Sequence, residues 1–347
     1  GMPGRHPAHP RRRRMRTTLV TVAPKTKLLT KSTFRNYDLC LNPYVGCEFK
    51  CQYCYVRFFI KDKERDWGDF VRVRDHMHYD LAKELQKGYV RVAVGKRKVL
   101  NPDGTVKCDE SGKAVTEMAH ENRPIIDSRL VIGTMTDPYQ PKEAKFRITR
   151  SALTTLTDPA NPQFRKVGIF TRSPLVLQDI DLIKKLPRGR VHVTITPFPD
   201  QVTRVIEPLT PPTARRWQVI KKLKEAGIRV HVNVAPIMPG LSEDLIEEWV
   251  HQISELAPAE YFVDPMQPYS ESYQAFAQAC KTIDGVDWSK IEATITDNDR
   301  YLDWKNAYRE RWEAARVKYQ HLCPDTLPIW SDHEHNVWVD MRTGVQM

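Results

Sequence analysis

Residues 46–55 read GCEFKCQYCY. They place Cys47, Cys51 and Cys54 within eight residues of a 347-residue chain that has only seven cysteines. Thiolates this close on one loop can converge on one metal centre. A structural zinc site takes four ligands, and no second Cys pair or Cys/His pair stands at zinc-finger spacing. A disulfide would use two of the three and is disfavoured in a reducing compartment. Four cysteines complete a cubane iron–sulfur cluster, whereas three leave one iron without a protein ligand. An open coordination position marks a catalytic centre, by the logic that separates catalytic from structural zinc. A zinc site and an incidental grouping of thiols are the competing readings.

Composition bounds the setting. Hydrophobic residues make up 41% and charged residues 28%, an ordinary balance for a globular chain. No run of about 18 apolar residues occurs, and the first twenty residues are polar and basic, without the apolar core of a secretory signal. The expected setting is cytoplasmic, with reduced thiols and no membrane partner. The formal net charge of +11 suits a polyanion such as nucleic acid. Part of that excess lies in Arg11–Arg14 and Arg16, which attract polyanions without defining a substrate. His333, Glu334 and His335 form a triplet that reads first as polar surface and only second as a metal site, and His78 lacks a partner at metal spacing. Trp304, Trp312, Trp330 and Trp338 read as packing residues before base-stacking ones.

The C-x3-C-x2-C spacing, with Tyr53 just before the last cysteine, resembles the signature of the radical S-adenosylmethionine (SAM) superfamily. That resemblance implies a [4Fe–4S] cluster on Cys47, Cys51 and Cys54, with SAM chelating the fourth iron. It implies reductive cleavage of SAM to a 5′-deoxyadenosyl radical that abstracts hydrogen from a substrate, and a flavodoxin- or ferredoxin-like electron donor. The resemblance extends over roughly residues 36–270. TDPYQPKE (136–143), TRSPLVLQDIDLI (171–183), RVIEPLTPPTARRWQVIKKLKEAGI (204–228) and APIMPGLSED (235–244) are similar to the spore photoproduct lyase-like group, also described as DNA repair photolyase-like. A nucleic acid or nucleotide is the substrate class this implies. A small metabolite or peptide substrate is the alternative for an enzyme, and an iron–sulfur nucleic-acid-binding protein the alternative outside catalysis.

Cofactor contacts follow from this resemblance and from residue chemistry. Tyr53 would approach the adenine. Thr136, Asp137, Arg172, Ser173 and Thr194 lie at or near strand ends, where hydroxyl and charged groups suit the amino acid end of SAM. Arg172 would pair with its carboxylate. The backbone around Ala235–Ile237 would cradle the adenine. Arg204 and Glu207 are expected to pair with each other. One departure stands out. Spore photoproduct lyase itself carries a hydrogen-returning cysteine three residues before an aspartate. Here the aspartate matches Asp137 and the cysteine position is Thr134, whose O–H bond is too strong to serve. Tyr139 is a speculative replacement donor, as are Cys40, Cys108, Cys280 and Cys323, each of which otherwise reads as a small buried hydrophobe.

These residues need a scaffold. Six β-branched runs, at 38–45, 129–137, 166–173, 190–197, 228–236 and 259–266, alternate with amphipathic helical stretches. In the helix before residue 228, Trp217, Ile220 and Leu223 share one face, and Gly227 ends it. Strand–helix alternation argues for a parallel sheet, wound either doubly or as a partial barrel. Both windings gather chemistry at the C-terminal strand ends, where the cysteines stand. The expected fold is α/β, a radical SAM partial (β/α)6 TIM-type barrel with a β-hairpin insertion and a C-terminal helical extension. The expected domains are a basic irregular arm over 1–30, a core over 31–270 and an extension over 271–347. Residues 89–121 form the insertion, with a turn at Asp103–Gly104 and Cys108 near its tip. Helices are expected around 272–281 and 298–320.

Overall fold

The computed structural model describes residues 18–34, 36–266, 270–326 and 328–330. The six apolar runs become six parallel strands: β1 Leu39–Leu41, β2 Arg129–Ile132, β3 Lys166–Thr171, β4 Arg190–Ile195, β5 Arg229–Ile237 and β6 Glu260–Pro265. They lie side by side in chain order. Two strands are shorter than their apolar runs. Gly133, at φ +92°, turns the chain after Ile132. Pro43, which has no N–H for a ladder, separates β1 from Tyr44–Val45. That pair joins a separate small sheet against Phe70–Val73.

A doubly wound sheet reverses its strand order at a switch point. No reversal occurs here, and the crossover helices share one face. They are α1 Met77–Leu85, α2 Ile148–Leu156, α3 Thr213–Glu225 and α4 Ile246–Leu256. Leu81, Leu153, Leu223 and Val250 from these helices share a core with Leu41, Ile132, Ile169, Val191 and Val232 from the strands. Because strand side chains alternate, Cys40, Val131, Phe170, His192, His231, Thr194 and Asn233 occupy the opposite face. The sheet is open. Its edges are Leu29–Lys31, antiparallel to β1, and Pro328–Trp330, parallel to β6. The fold is mixed α/β.

Three expectations need correction. The segment read as an irregular arm contains strands at Leu19–Val22 and Leu29–Lys31. Both are too short to show periodicity and are set by pairing with distant residues. Residues 1–17 lie outside the described residues. The insertion is a longer ribbon, Tyr89–Lys98 against Thr116–Pro124. The Asp103–Gly104 turn does not join these strands. It closes a small inner loop, in which the Asn101 N–H donates to the Thr105 carbonyl at 2.8 Å and the Gly104 N–H to the Asn101 carbonyl at 2.9 Å.

The C-terminal extension supplies α5 Ser270–Cys280, α6 Trp288–Ile295 and α7 Asn298–Tyr319. Phe276, Trp288 and Ile291 pack with Phe198, Met238 and Met266, which follow β4, β5 and β6, and with Tyr53 of the cysteine loop. Helix α7 joins the main core through Tyr308 and Trp312. Within this packing Trp304 stacks on Tyr301 and Trp312 on Tyr308, while Trp330 stands edge-on to Tyr308 and Trp312. Trp338 and the His333–His335 triplet lie outside the described residues.

Candidate active site

The cysteine loop follows β1 at the C-terminal end of the sheet. Gly46 lets it turn: its φ is +90°, and a Cβ there would meet the Phe70 carbonyl oxygen at 2.5 Å. The segment after β2 holds the loop in place. Thr136 Oγ1 donates to the Gly46 carbonyl at 2.7 Å, and Gln140 Nε2 donates to both, at 3.2 Å to the carbonyl and 3.0 Å to Thr136 Oγ1. Gln140 Oε1 accepts from the Glu48 N–H at 3.0 Å. Glu48 accepts from the Lys142 N–H at 2.9 Å and pairs with its ammonium at 3.1 Å. These loop-fixing residues, Gln140, Glu48 and Lys142, were not singled out from sequence.

Cys47 and Cys51 are buried with Phe49, Trp67 and Phe70, and Cys54 packs against the same cluster. All three are free thiols. Burial pushes each upward: Cys47 well above the usual thiol value, Cys51 to about 12, and Cys54 in the same direction. Arg172 works against the shift at Cys51 and Cys54, and Arg57 does so at Cys54. Among the described residues, no three His, Cys, Asp or Glu side chains converge as ligands of one metal ion.

Behind the loop lies a buried polar network. Glu207, the residue after a short helix at Asp200–Ile206, accepts from the Tyr53 hydroxyl, the Thr196 hydroxyl and the Arg216 guanidinium. Arg172 Nε stands 3.7 Å from the same carboxylate, and Arg172 Nη2 donates to the Tyr53 hydroxyl at 3.1 Å. Burial pushes the Glu207 carboxyl up, but Arg216 and Arg172 outweigh it and hold the carboxyl at about 2. Glu207 therefore pairs with Arg216 and Arg172, not with Arg204 as expected. Arg204 reaches only the Asp200 carbonyl, at 3.4 Å. Two guanidinium groups share one carboxylate, and the buried Nε of Arg172 has no hydrogen bond among the described residues.

The other expected contacts divide. Asp137 accepts from the Arg172 N–H at 2.8 Å, the Thr171 hydroxyl at 2.7 Å and the Tyr139 N–H at 2.9 Å, so it joins the ends of β2 and β3. Burial raises its carboxyl pKa, against these bonds. Ser173 caps the 3-10 turn at Pro174–Asp179 by accepting from the Leu175 N–H at 3.2 Å. Thr194 lies on the sheet face away from the helices, beside Asn233, and neither side chain has a hydrogen bond among the described residues. Asn233 was not singled out from sequence. Ala235 and Ile237 flank the Pro236 bulge of β5, and the Ile237 side chain is buried in the helix-side core.

The expected hydrogen donors scatter. The Tyr139 hydroxyl donates to Asp179 at 3.0 Å inside the helix-side core, so the phenol is not presented to the cysteine loop. Cys280 is buried among the extension helices, and Cys108 is exposed on the ribbon. Cys323 is half-buried after α7. Cys40 lies on the open sheet face, 3.1 Å from Thr30 Oγ1. Position 134 does adjoin the loop: the Tyr55 hydroxyl donates to the Thr134 carbonyl, and Thr134 Oγ1 accepts from Asn42 at 3.1 Å. His78 bonds Thr155 at 2.7 Å, away from the site.

Three free thiols stand on the loop after the first parallel strand, with Arg172 and Arg216 behind them. The family description Radical SAM superfamily matches residues 41–253. The chain belongs to the radical SAM superfamily and is an enzyme of it. The family implies a [4Fe–4S] cluster and SAM. An uncharacterized protein of Methanocaldococcus jannaschii is 27% identical over 234 residues, 67% of either chain. An uncharacterized protein of Acidianus two-tailed virus is 28% identical over 255 residues, 73% of this chain and 72% of its own. A spore photoproduct lyase mutant with dinucleoside spore photoproduct superposes with TM-score 0.56 at 13% identity, covering 91% of this chain and 82% of that one. Another mutant, with bound AdoMet and the same dinucleoside, superposes at 0.54 and 13%, over 90% and 81%. These superpositions bear on the fold.

Proposed function

We propose that Cys47, Cys51 and Cys54 hold a [4Fe–4S] cluster, that SAM binds beside it, and that the substrate is a nucleic acid or nucleotide. The observation that carries this reading is the set of three undedicated thiols on one fixed loop, backed by an arginine whose Nε lacks an acceptor. When bound, the cluster and SAM would supply a one-electron cleavage that yields a hydrogen-abstracting radical. The chain's residues do the rest. Arg172, which shares the Glu207 carboxylate with Arg216, would take the SAM carboxylate. Glu207 fixes Tyr53 and Arg172 relative to each other. Thr194 and Asn233 offer free polar groups on the open face. Sequential strand order and one-sided helices support a partial (β/α)6 barrel, whose open face would receive the substrate.

The nucleic-acid reading is supported by charge and by likeness to a lyase whose solved structure holds a dinucleoside. Thr134 argues against transferring that lyase's hydrogen-return step unchanged. Anaerobic reconstitution of the full chain with iron and sulfide, followed by dithionite and SAM, tests the enzyme reading. 5′-Deoxyadenosine should accumulate. Production no greater than that of Cys51→Ala would sink it.

A further inference from the structure

Four neighbouring strands each open on a cation: Arg129 on β2, Lys166 on β3, Arg190 on β4 and Arg229 on β5. Because the strands are parallel, all four stand at the N-terminal rim of the sheet, opposite the cysteine loop. Arg129 is registered with Lys166, and Arg190 with Arg229. Arg188, just before β4, adds a fifth. Among the described residues, two carboxylates answer them. Asp38 pairs with Arg129 at 2.9 Å, and Glu260 stands 3.5 Å from Arg229. Among the described residues, Lys166, Arg188 and Arg190 have no carboxylate partner. A groove of about 530 Å³ at this rim is lined by Lys184, Arg188, Arg190 and Arg229, with no acidic residue.

The cations of the rim repel one another: burial lowers the Lys166 ammonium to about 8, and Arg190, Arg129 and Arg229 push it the same way against Glu260. The excess is not confined to the arm. Residues 1–17 hold six arginines and no acid, and residues 331–347 hold one arginine and three acids, so the part between carries a net +7.

We propose that this rim binds the sugar–phosphate backbone of a single-stranded nucleic acid. Four strand starts at about 4.8 Å spacing extend over roughly 15 Å, longer than one phosphate and suited to several along a chain. Above the rim, side chains fill the open face at β3 and β4. Tyr37 lies over Gly168, where a Cβ would meet the Tyr37 hydroxyl oxygen at 2.0 Å, and that hydroxyl bonds His192 Nε2 at 2.7 Å. The rim therefore holds backbone flanking the reacting nucleotide, not that nucleotide itself. The inference rests on the nucleic-acid reading above.

The test is fluorescence anisotropy of a labelled single-stranded oligonucleotide with the reconstituted full chain across a salt series. For single strands each phosphate contact contributes roughly 0.7 to the salt slope. Arg188→Gln/Arg190→Gln/Arg229→Gln should lower the slope by about 2 and weaken binding about 10- to 100-fold at moderate salt. Lys83→Gln/Lys87→Gln/Arg91→Gln, in a second basic cleft beside α1 and the ribbon, should leave the slope unchanged. A thermal melt verifies that the triple variant is folded. Should it not be, Arg188→Gln and Arg229→Gln singly should each lower the slope by about 0.7. Salt-dependent binding that survives these changes, or that vanishes when Arg11–Arg14 alone become Gln, overturns the rim site. Absence of salt-dependent binding by the unaltered chain overturns the nucleic-acid reading and with it this inference. Neither result bears on SAM cleavage, which 5′-deoxyadenosine reports separately.

Discussion

Cys47, Cys51 and Cys54 are protonated thiols at neutral pH, because burial raises all three. Metal ligation requires thiolates, so loading must expel their protons. Anaerobic reconstitution in weakly buffered solution should release about three protons per cluster, and loading should strengthen as pH rises. A pH indicator read alongside the cluster's absorbance measures this; release of one proton or none would contradict three-thiolate ligation. Glu207 makes the second prediction at this scale. It is fully buried between Arg172 and Arg216. Removing one partner of a buried pair typically costs about 3–5 kcal/mol, so Glu207→Gln should lose about that in urea unfolding. Glu207→Gln/Arg216→Gln, which also removes the cation bound most directly, should recover part of it. Its carboxyl sits below the unfolded value, so its stabilisation is present above pH ~4.5. That contribution fades as pH falls toward 2.

Among the elements, the ribbon is the most separable. Val90 and Val92 at its base are buried in the main core, whereas most residues between Val94 and Ala119 are exposed. A two-stranded ribbon contributes little stability on its own. Replacing residues 94–119 by Asn-Gly, joining Ala93 to the paired His120, should leave the thermal midpoint within about 3 °C. A larger drop would show that the ribbon packs on the body. The site also depends on elements far from the cysteines. The turn after β2 fixes the loop, β3 presents Arg172, and α3 delivers Arg216 to Glu207. The extension helices then cover Tyr53. No one of these elements forms the site alone.

Across the whole molecule, the open sheet face buries two histidines that should govern acid stability. Burial holds His192 well below its usual value and His231 at about 3, with nearby arginines acting the same way. Both are neutral in the folded chain and take up protons when it unfolds below pH ~6.5. The unfolded state then binds more protons, so stability falls as pH drops from ~6.5 toward 3. The urea midpoint should be lower at pH 5 than at pH 7.5, and His192→Asn/His231→Asn should shrink that difference. An equal difference in the variant would place the acid sensitivity elsewhere. The positive rim lies beneath these histidines, which ties the molecule's charge to one end of its sheet.

The cysteine triplet and the six strand runs were legible in the sequence. The triplet is written in contiguous residues, and strand patterning is a local consequence of side-chain alternation. The strand ends were also legible in part, since Thr136, Asp137, Arg172 and Ser173 do stand there. There Thr136 and Asp137 bond backbone groups, and Ser173 caps a turn. Only the tertiary structure set the strand order, which is a fact about pairing that the repeats alone leave open. It also decided Glu207's partners. Arg204 is the near neighbour in sequence, but Tyr53 and Arg172 come from other segments, and a buried carboxylate takes the cations that folding brings to it. The row of strand-opening cations was present in the sequence one residue at a time. It became a row only when parallel pairing set four strand starts side by side.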